Sequence, residues 1–172
     1  MPRLLRPRAL VLLALLVGCA VPASEARPRT LPAIPVTPSV NGTTADRAPT
    51  PLARIAAGRP MVVDFFASWC APCRTSMPLL QAYADEHGSG LVVVGVSVGE
   101  DAADVEPFVR ELGVRYPIFL DRDFALADAV GAKRVPQLLV VDASGRIVHR
   151  AHELDAATRA AVDLALATPA EW

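Results

Sequence analysis

The chain has 172 residues, 52% of them hydrophobic, with a net charge of −1 and three cysteines. This is enough for one domain with a proper core plus some sequence outside it. Without the leader arginines Arg3, Arg6 and Arg8, 14 basic residues remain against 18 acidic ones, a net charge of −4, and no basic stripe is present. That balance excludes nucleic acid as a partner.

Arg3, Arg6 and Arg8 form a basic N-terminal region, and Ala9 to Val17 is an apolar run of signal-peptide length, too short to span a bilayer comfortably. The run ends at Leu16-Val17-Gly18-Cys19, which resembles the lipobox of bacterial lipoproteins. The resemblance implies removal of the leader and acylation of Cys19, with several acyl chains giving a stable membrane anchor. An ordinary cleaved signal with a chance cysteine, or a short N-terminal anchor, remains open. All three readings export the domain to an oxidising compartment, outside the cytoplasm or in the periplasm.

Residues 20–51 are rich in Pro, Ser, Thr and Ala, with Pro22, Pro28, Pro32, Pro35, Pro38, Pro49 and Pro51 interrupting any regular element. They read as a disordered, semi-extended tether. The alternative is that Leu31 to Val40 packs as an extra N-terminal strand. The expected division is therefore a signal and lipidation segment (1–19), a linker (20–51) and a folded domain (52–172).

Within the domain, Met61 to Ala67 reads as a buried strand, and Cys73 to His87 has helical spacing at Met77, Leu80 and Tyr83. Leu91 to Val98 is a second buried strand after Gly88 and Gly90. Asp104 to Leu112 is expected to be a helix with Pro107 in its first turn and Gly113 beyond its end. A short strand, Ile118 to Leu120, and a short helix, Phe124 to Val130, follow. Gln137 to Val141 and Arg146 to His149 flank a hairpin turn at Asp142-Ala143-Ser144-Gly145. Leu154 to Ala167 closes the chain as an amphipathic helix with Asp155 as its cap. The pattern is α/β, with a mixed central sheet flanked by helices.

The chemistry lies in Trp69-Cys70-Ala71-Pro72-Cys73. A strand leading into Cys-x-x-Cys, followed by a helix, puts Cys70 at a helix N-terminus. There the unpaired N–H groups and the helix dipole favour a thiolate. In such a position a thiol pKa near about 8.5 can fall to roughly 3.5–7.5. Two intervening residues bring the sulfurs within bonding reach, and Pro72 suits a first helical turn. A zinc knuckle needs four ligands, and one cysteine pair with the distant His149 and His152 supplies them poorly. A purely structural disulfide across two residues is strained and rare. The chemistry requires no cofactor and no metal.

The stretch Asp64-Phe65-Phe66-Ala67-Ser68-Trp69-Cys70-Ala71-Pro72-Cys73 is similar to the active-site segment of the thioredoxin superfamily. Pro78 stands five residues after the second cysteine, where that family has a helix-kinking proline. Val135-Pro136 resembles the family's cis-proline dipeptide, and Asp142 to Ile147 resembles the hairpin that follows it. The long segment between Val98 and Ala132 looks like the strand-helix insert of the TlpA-like branch, which includes ResA-like apocytochrome c reductases. The resemblance implies a thioredoxin-like fold from about Leu52 onward.

It also implies roles. Cys70 would attack and Cys73, buried behind it, would resolve the mixed disulfide. Asp64 matches the buried Asp of thioredoxins, where the TlpA-like branch often has Asn, and Glu100 resembles an acid that ResA-like proteins place near their cysteines. Either could take a proton, since a carboxyl in an apolar site has a raised pKa. A polar strand residue and a solvated loop acid are the plainer alternatives. Trp69, Val135 and Pro136 would line the docking surface, whereas Gln137 departs from the family's usual Thr. His87, His149 and His152 read as surface residues.

The expected activity is that of an extracytoplasmic protein-disulfide reductase acting on exported protein thiols and disulfides, for example in cytochrome c maturation, and recharged by a membrane electron-donor protein. A disulfide-forming oxidase uses the same atoms. A copper-binding chaperone would more often separate its cysteines by three residues and add a His. A peroxiredoxin-type peroxidase would have Thr where this chain has Ala67.

Overall fold

Long apolar runs that do not alternate with polar residues must be covered on both faces, and two such runs after the leader form the centre of a single sheet. In the computed structural model, which describes residues 29–41 and 48–168, these are β3 (Met61–Phe66) and β4 (Val92–Val98), buried at every position. The leader and Cys19 lie outside the described residues.

Ahead of them come β1 (Pro35–Pro38), β2 (Thr50–Pro51) and a short helix α1 (Leu52–Ala56). After β3 runs α2 (Ala71–His87), and after β4 come α3 (Ala102–Glu111), β5 (Ile118–Asp121) and α4 (Ala125–Val130). The hairpin β6 (Gln137–Val141) and β7 (Ile147–Ala151) and a last helix α5 (Ala156–Ala167) complete the order. The strands are arranged β2-β1-β5-β4-β3-β6-β7. β3, β4 and β5 are parallel, and β1 and β6 pair antiparallel at the two sides of that block. This is the mixed α/β sheet expected, with the α3-β5-α4 insert between β4 and β6.

Local chemistry explains the boundaries. The buried residues of α2, Cys73, Met77, Leu80, Gln81 and Tyr83, recur at the spacing of one helix face. Asp155 caps α5 by accepting a hydrogen bond from the Thr158 N–H at 2.8 Å. α3 begins earlier than its spacing predicts, with Asp101 at the cap position, so Pro107 stands inside the helix rather than in its first turn. The cost is one backbone hydrogen bond. α4 starts behind Phe124, whose φ of 60° is left-handed. Asp121 anchors that start, its two carboxylate oxygens accepting from the Leu126 and Ala127 N–H groups.

The N-terminal segment departs from the tether reading over its described part. β1 lies between β2 and β5, with Thr37 opposite Leu120. Val36 is buried to 1% exposure, and Leu31 joins the core. Proline is tolerated there because β1 forms few ladder bonds near the sheet margin. The folded domain therefore starts before Leu52, and of the two readings of Leu31 to Val40 the extra strand is the one observed.

This makes a testable difference. Val36→Ala should lower the unfolding free energy by about 2 kcal/mol through lost burial and the cavity left behind. Urea titration reads this directly, and an unchanged midpoint would place the segment outside the cooperative unit.

Candidate active site

The sheet topology brings three segments to one edge. β3 ends at Phe66, and its chain turns through Ala67-Ser68-Trp69 into Cys70. β4, parallel to β3, ends beside it and continues into Gly99-Glu100. β6 runs antiparallel, with Gln137 opposite Phe65, so the residues just before β6 also lie beside the cysteine turn. The carboxyl edge of parallel strands is where open α/β sheets place their chemistry.

Cys70 caps α2, and its sulfur accepts a hydrogen bond from the Cys73 N–H at 3.3 Å. Pro72 occupies the first turn, where no N–H is needed. Cys70 and Cys73 are joined by a disulfide, with sulfurs 2.11 Å apart. The pair is asymmetric: Cys70 retains 3% exposure and Cys73 none. Trp69 is 71% exposed, so it stands out from the surface and is not a core anchor.

The Val135–Pro136 peptide is cis. Pro136 is half-buried and shares a groove with Pro72, Thr75 and Leu79 of the cysteine helix. Gln137, unusual after such a proline, is buried, and its side-chain amide donates to the Ala151 carbonyl at 2.7 Å, tying the start of β6 to β7.

The two candidate carboxyls sit in opposite environments. Asp64 is at 1% exposure in the middle of β3. Oδ2 accepts from the Tyr116 hydroxyl at 3.2 Å, while Oδ1 has no hydrogen-bond partner among the described residues. Burial pushes its pKa from 3.8 up to about 7, against the lowering effect of the tyrosine. Burial, with Asp64 alongside, also holds the Tyr116 hydroxyl well above 10, so it remains a donor. A small void beside Asp64 is shared with Ser76, Pro136 and His152, beneath the turn that follows Cys73.

Glu100 does not reach into this apolar site. Its carboxylate accepts from the Ser68 N–H at 2.9 and 3.1 Å and from the hydroxyls of Ser68 and Ser97. It is therefore a clamp on the turn that carries Trp69 and Cys70.

Sequence reading missed four partners. Tyr116 is 52 residues from Asp64, but Gly95, in register with Asp64 inside β4, was a signal of close approach. A Cβ there would come within 2.6 Å of Ile118 and 3.2 Å of the Tyr116 ring. Ser97 and Ser68 carried no signal until the two loops were brought together. His152, expected to be a plain surface residue, has both ring nitrogens engaged, one on the Pro136 carbonyl at 2.7 Å and one on Arg134 at 3.0 Å. Among the described residues no cluster of three or more His, Cys, Asp or Glu could hold a metal ion, and no helix is long and apolar enough to cross a membrane.

The family profile Redoxin matches residues 23–166. The chain belongs to the Redoxin family. Over 91 residues this Redoxin chain is 30% identical to thiol-disulfide oxidoreductase ResA of Geobacillus thermodenitrificans, covering 52% of each protein. It thus spans about half the length of the curated relatives it matches. A thiol:disulfide interchange protein of the thioredoxin family from Chlorobium tepidum TLS superposes with a TM-score of 0.58 and 27% identity, over 82% of this chain and 99% of that one. A secreted Mycobacterium tuberculosis disulfide oxidoreductase homologous to E. coli DsbE gives 0.60 and 20%, over 74% and 94%. The fold is thioredoxin-like.

The raised Asp64 pKa makes a stability prediction. Between about pH 4 and pH 7 the unfolded chain releases this proton while the folded Redoxin domain retains it, so the contribution of Asp64 to stability falls as pH rises. Asp64→Asn should therefore gain on the wild type through that window, by up to about 4 kcal/mol, and level off above it. Urea titrations at fixed pH measure the gap, and a gap independent of pH would mean an unperturbed carboxyl.

Proposed function

We propose that the protein is an extracytoplasmic thiol-disulfide oxidoreductase that reduces disulfides in exported proteins through Cys70 and Cys73. The observation that carries this reading is the asymmetric pair at the start of α2. Cys70 keeps a trace of exposure at the edge that also carries the cis-proline turn, and its partner Cys73 is fully buried. The names of the relatives, thiol-disulfide oxidoreductase and thiol:disulfide interchange protein, agree with it.

In the reduced enzyme, the helix N-terminus stabilises Cys70 as a thiolate. This sulfur attacks one sulfur of a client disulfide. The client S–S bond breaks, its other sulfur leaves as a thiolate, and a Cys70–client mixed disulfide forms. Cys73 then loses its proton, for which Asp64 is the acceptor suited by its pKa. The Cys73 thiolate attacks the Cys70 sulfur, forming the Cys70–Cys73 bond and releasing the second client thiol. Two electrons have passed to the client, and a dithiol donor must restore them. An extended client segment would lie along Trp69, Val135 and Pro136, with Glu100 fixing the turn against which it docks.

The finer reading keeps the expectations drawn from the leader and the TlpA-like insert. Cys19 would carry the lipid anchor, a membrane protein would supply the electrons, and clients would include haem-site cysteines of apocytochrome c. Disulfide formation is the same exchange run backwards, and the potential decides between them.

Two measurements test this. Cys73→Ser should accumulate mixed disulfides through Cys70 that disappear on reduction, while Cys70→Ser should accumulate none. Failure of Cys73→Ser to capture any exported protein would sink the exchange mechanism. The reduction potential should lie near that of thioredoxin, about −270 mV, whereas a value near about −120 mV would reverse the direction of flow.

A further inference from the structure

His152 follows β7 and faces the cis-proline turn across the β6–β7 pair. Its Nδ1 is 2.7 Å from the Pro136 carbonyl oxygen, and its Nε2 is 3.0 Å from Nη2 of Arg134. The chemistry of these partners fixes the ring. A carbonyl oxygen only accepts, so Nδ1 must carry the hydrogen. A guanidinium only donates, so Nε2 must present a lone pair. Both contacts form together only in the neutral Nδ1–H tautomer.

From the opposite direction, Gln137 donates to the Ala151 carbonyl. Two side-chain bonds thus cross between residues 136–137 and 151–152, one each way, and hold the cis-proline turn against the end of β7. On protonation, His152 can still donate to Pro136 through Nδ1. It can no longer accept from Arg134, because Nε2–H and the guanidinium would then be two donors of like charge at 3.0 Å.

We propose that His152 is a positioning and selectivity residue of the docking edge: neutral, it pins the cis-proline turn and parks Arg134; protonated, it releases Arg134 and adds a positive charge beside the bound client. The inference rests on the exchange reading above and deepens it, by making the client's charge next to its disulfide matter more as pH falls. Of the other charged groups around the ring, Asp64 also changes charge near pH 7, and the His152→Asn control separates its effect from that of His152. Glu153 and Arg159 of α5 line the groove that His152 shares with Pro72 and Pro136, and Asp64 lies across the small void from it. From α2 the void is faced by Ser76 and Leu80, which carry no charge.

Two readouts test the proposal. Long-range 15N–1H correlation spectra of the labelled full chain at pH 7.5 should show His152 protonated at Nδ1 with a pyridine-type Nε2, and the Nε2–H tautomer would overturn the assignment whatever the enzyme does. Next, reduction of two model peptides with the same disulfide, flanked by Asp in one and Lys in the other, should be followed at pH 7.5 and 5.5. Their ratio of kcat/KM cancels Cys70 ionisation. In the wild type it should shift towards the Asp peptide by about two- to fivefold on acidification, the range for a single exposed charge. His152→Asn, which can donate to Pro136 but not titrate, should lose most of the shift, the remainder reporting Asp64, and Arg134→Gln, in which His152 still gains its charge but frees no guanidinium, should keep a reduced shift. A constant wild-type ratio, or the same shift in both variants, would refute the selectivity role. If neither peptide is reduced at either pH, the exchange reading fails, and the tautomer measurement still decides the His152 geometry.

Discussion

The pairing of β3 with a parallel strand on one side and an antiparallel strand on the other decides where the chemistry of this protein lies. Parallel β4 carries its following loop to the same edge as the turn after β3, so Glu100 meets Ser68. Antiparallel β6 begins where β3 ends, so the cis-proline lies beside the cysteines. Neither arrangement needs a long loop. The same three strands, buried at every position, supply the core that holds the edge rigid. A site formed by the ends of strands has its geometry set by backbone hydrogen bonds, and side chains then adjust it within that frame.

Under the cysteine helix the sheet carries a single weak point, a carboxyl on an inward-facing strand position. Its cost is limited by three neighbours that act together. Gly95 leaves room, the Tyr116 ring moves into it, and the hydroxyl reaches Oδ2. Tyr116 in turn is held by Gln81 of α2, whose side-chain carbonyl accepts the Arg115 and Tyr116 N–H groups. A larger residue at 95 would displace the ring and leave both carboxylate oxygens unpaired in the core, a costlier state than the present one. Burial raises the Asp64 pKa, and the Tyr116 hydroxyl, placed by Gly95 and Gln81, limits the rise.

Most of the fold was legible because its signals are local. Unbroken apolar runs gave β3 and β4, and helical spacing gave α2 and α5. The Cys-x-x-Cys turn and Val135-Pro136 carried the resemblance to thioredoxins. The departures share a cause. β1 is assembled from Pro, Val and Thr in a segment whose composition argues against structure, and only its long-range pairing with β5 orders it. Pro107 stands inside α3 because the helix starts at Ala102, earlier than the proline signal places it, with no side-chain cap bond from Asp101 to mark that start. At the site, residue types pointed to the cysteines, Asp64 and the cis-proline. They could not indicate Tyr116 or His152, because hydrogen bonds between segments 16 to 52 residues apart leave no periodic trace.

The contrast between Asp64 and Glu100 resolves which acid can serve proton transfer. A useful acceptor needs a free lone pair and a pKa near the working pH. Glu100 has its oxygens committed to two serines and a backbone N–H, which hold the carboxylate in place. Among the described residues Asp64 has one oxygen without a partner, a pKa of about 7, and a small void shared with Ser76 of α2 and with Pro136. The residue the sequence offered as a shuttle therefore acts on the position of Cys70, through the turn before it. The buried aspartate, with one unpartnered oxygen and a raised pKa, is the acid suited to the proton transfer proposed for the second sulfur. In the proposed exchange the two carboxyls divide between them the geometry of the attacking thiol and the chemistry of the resolving one.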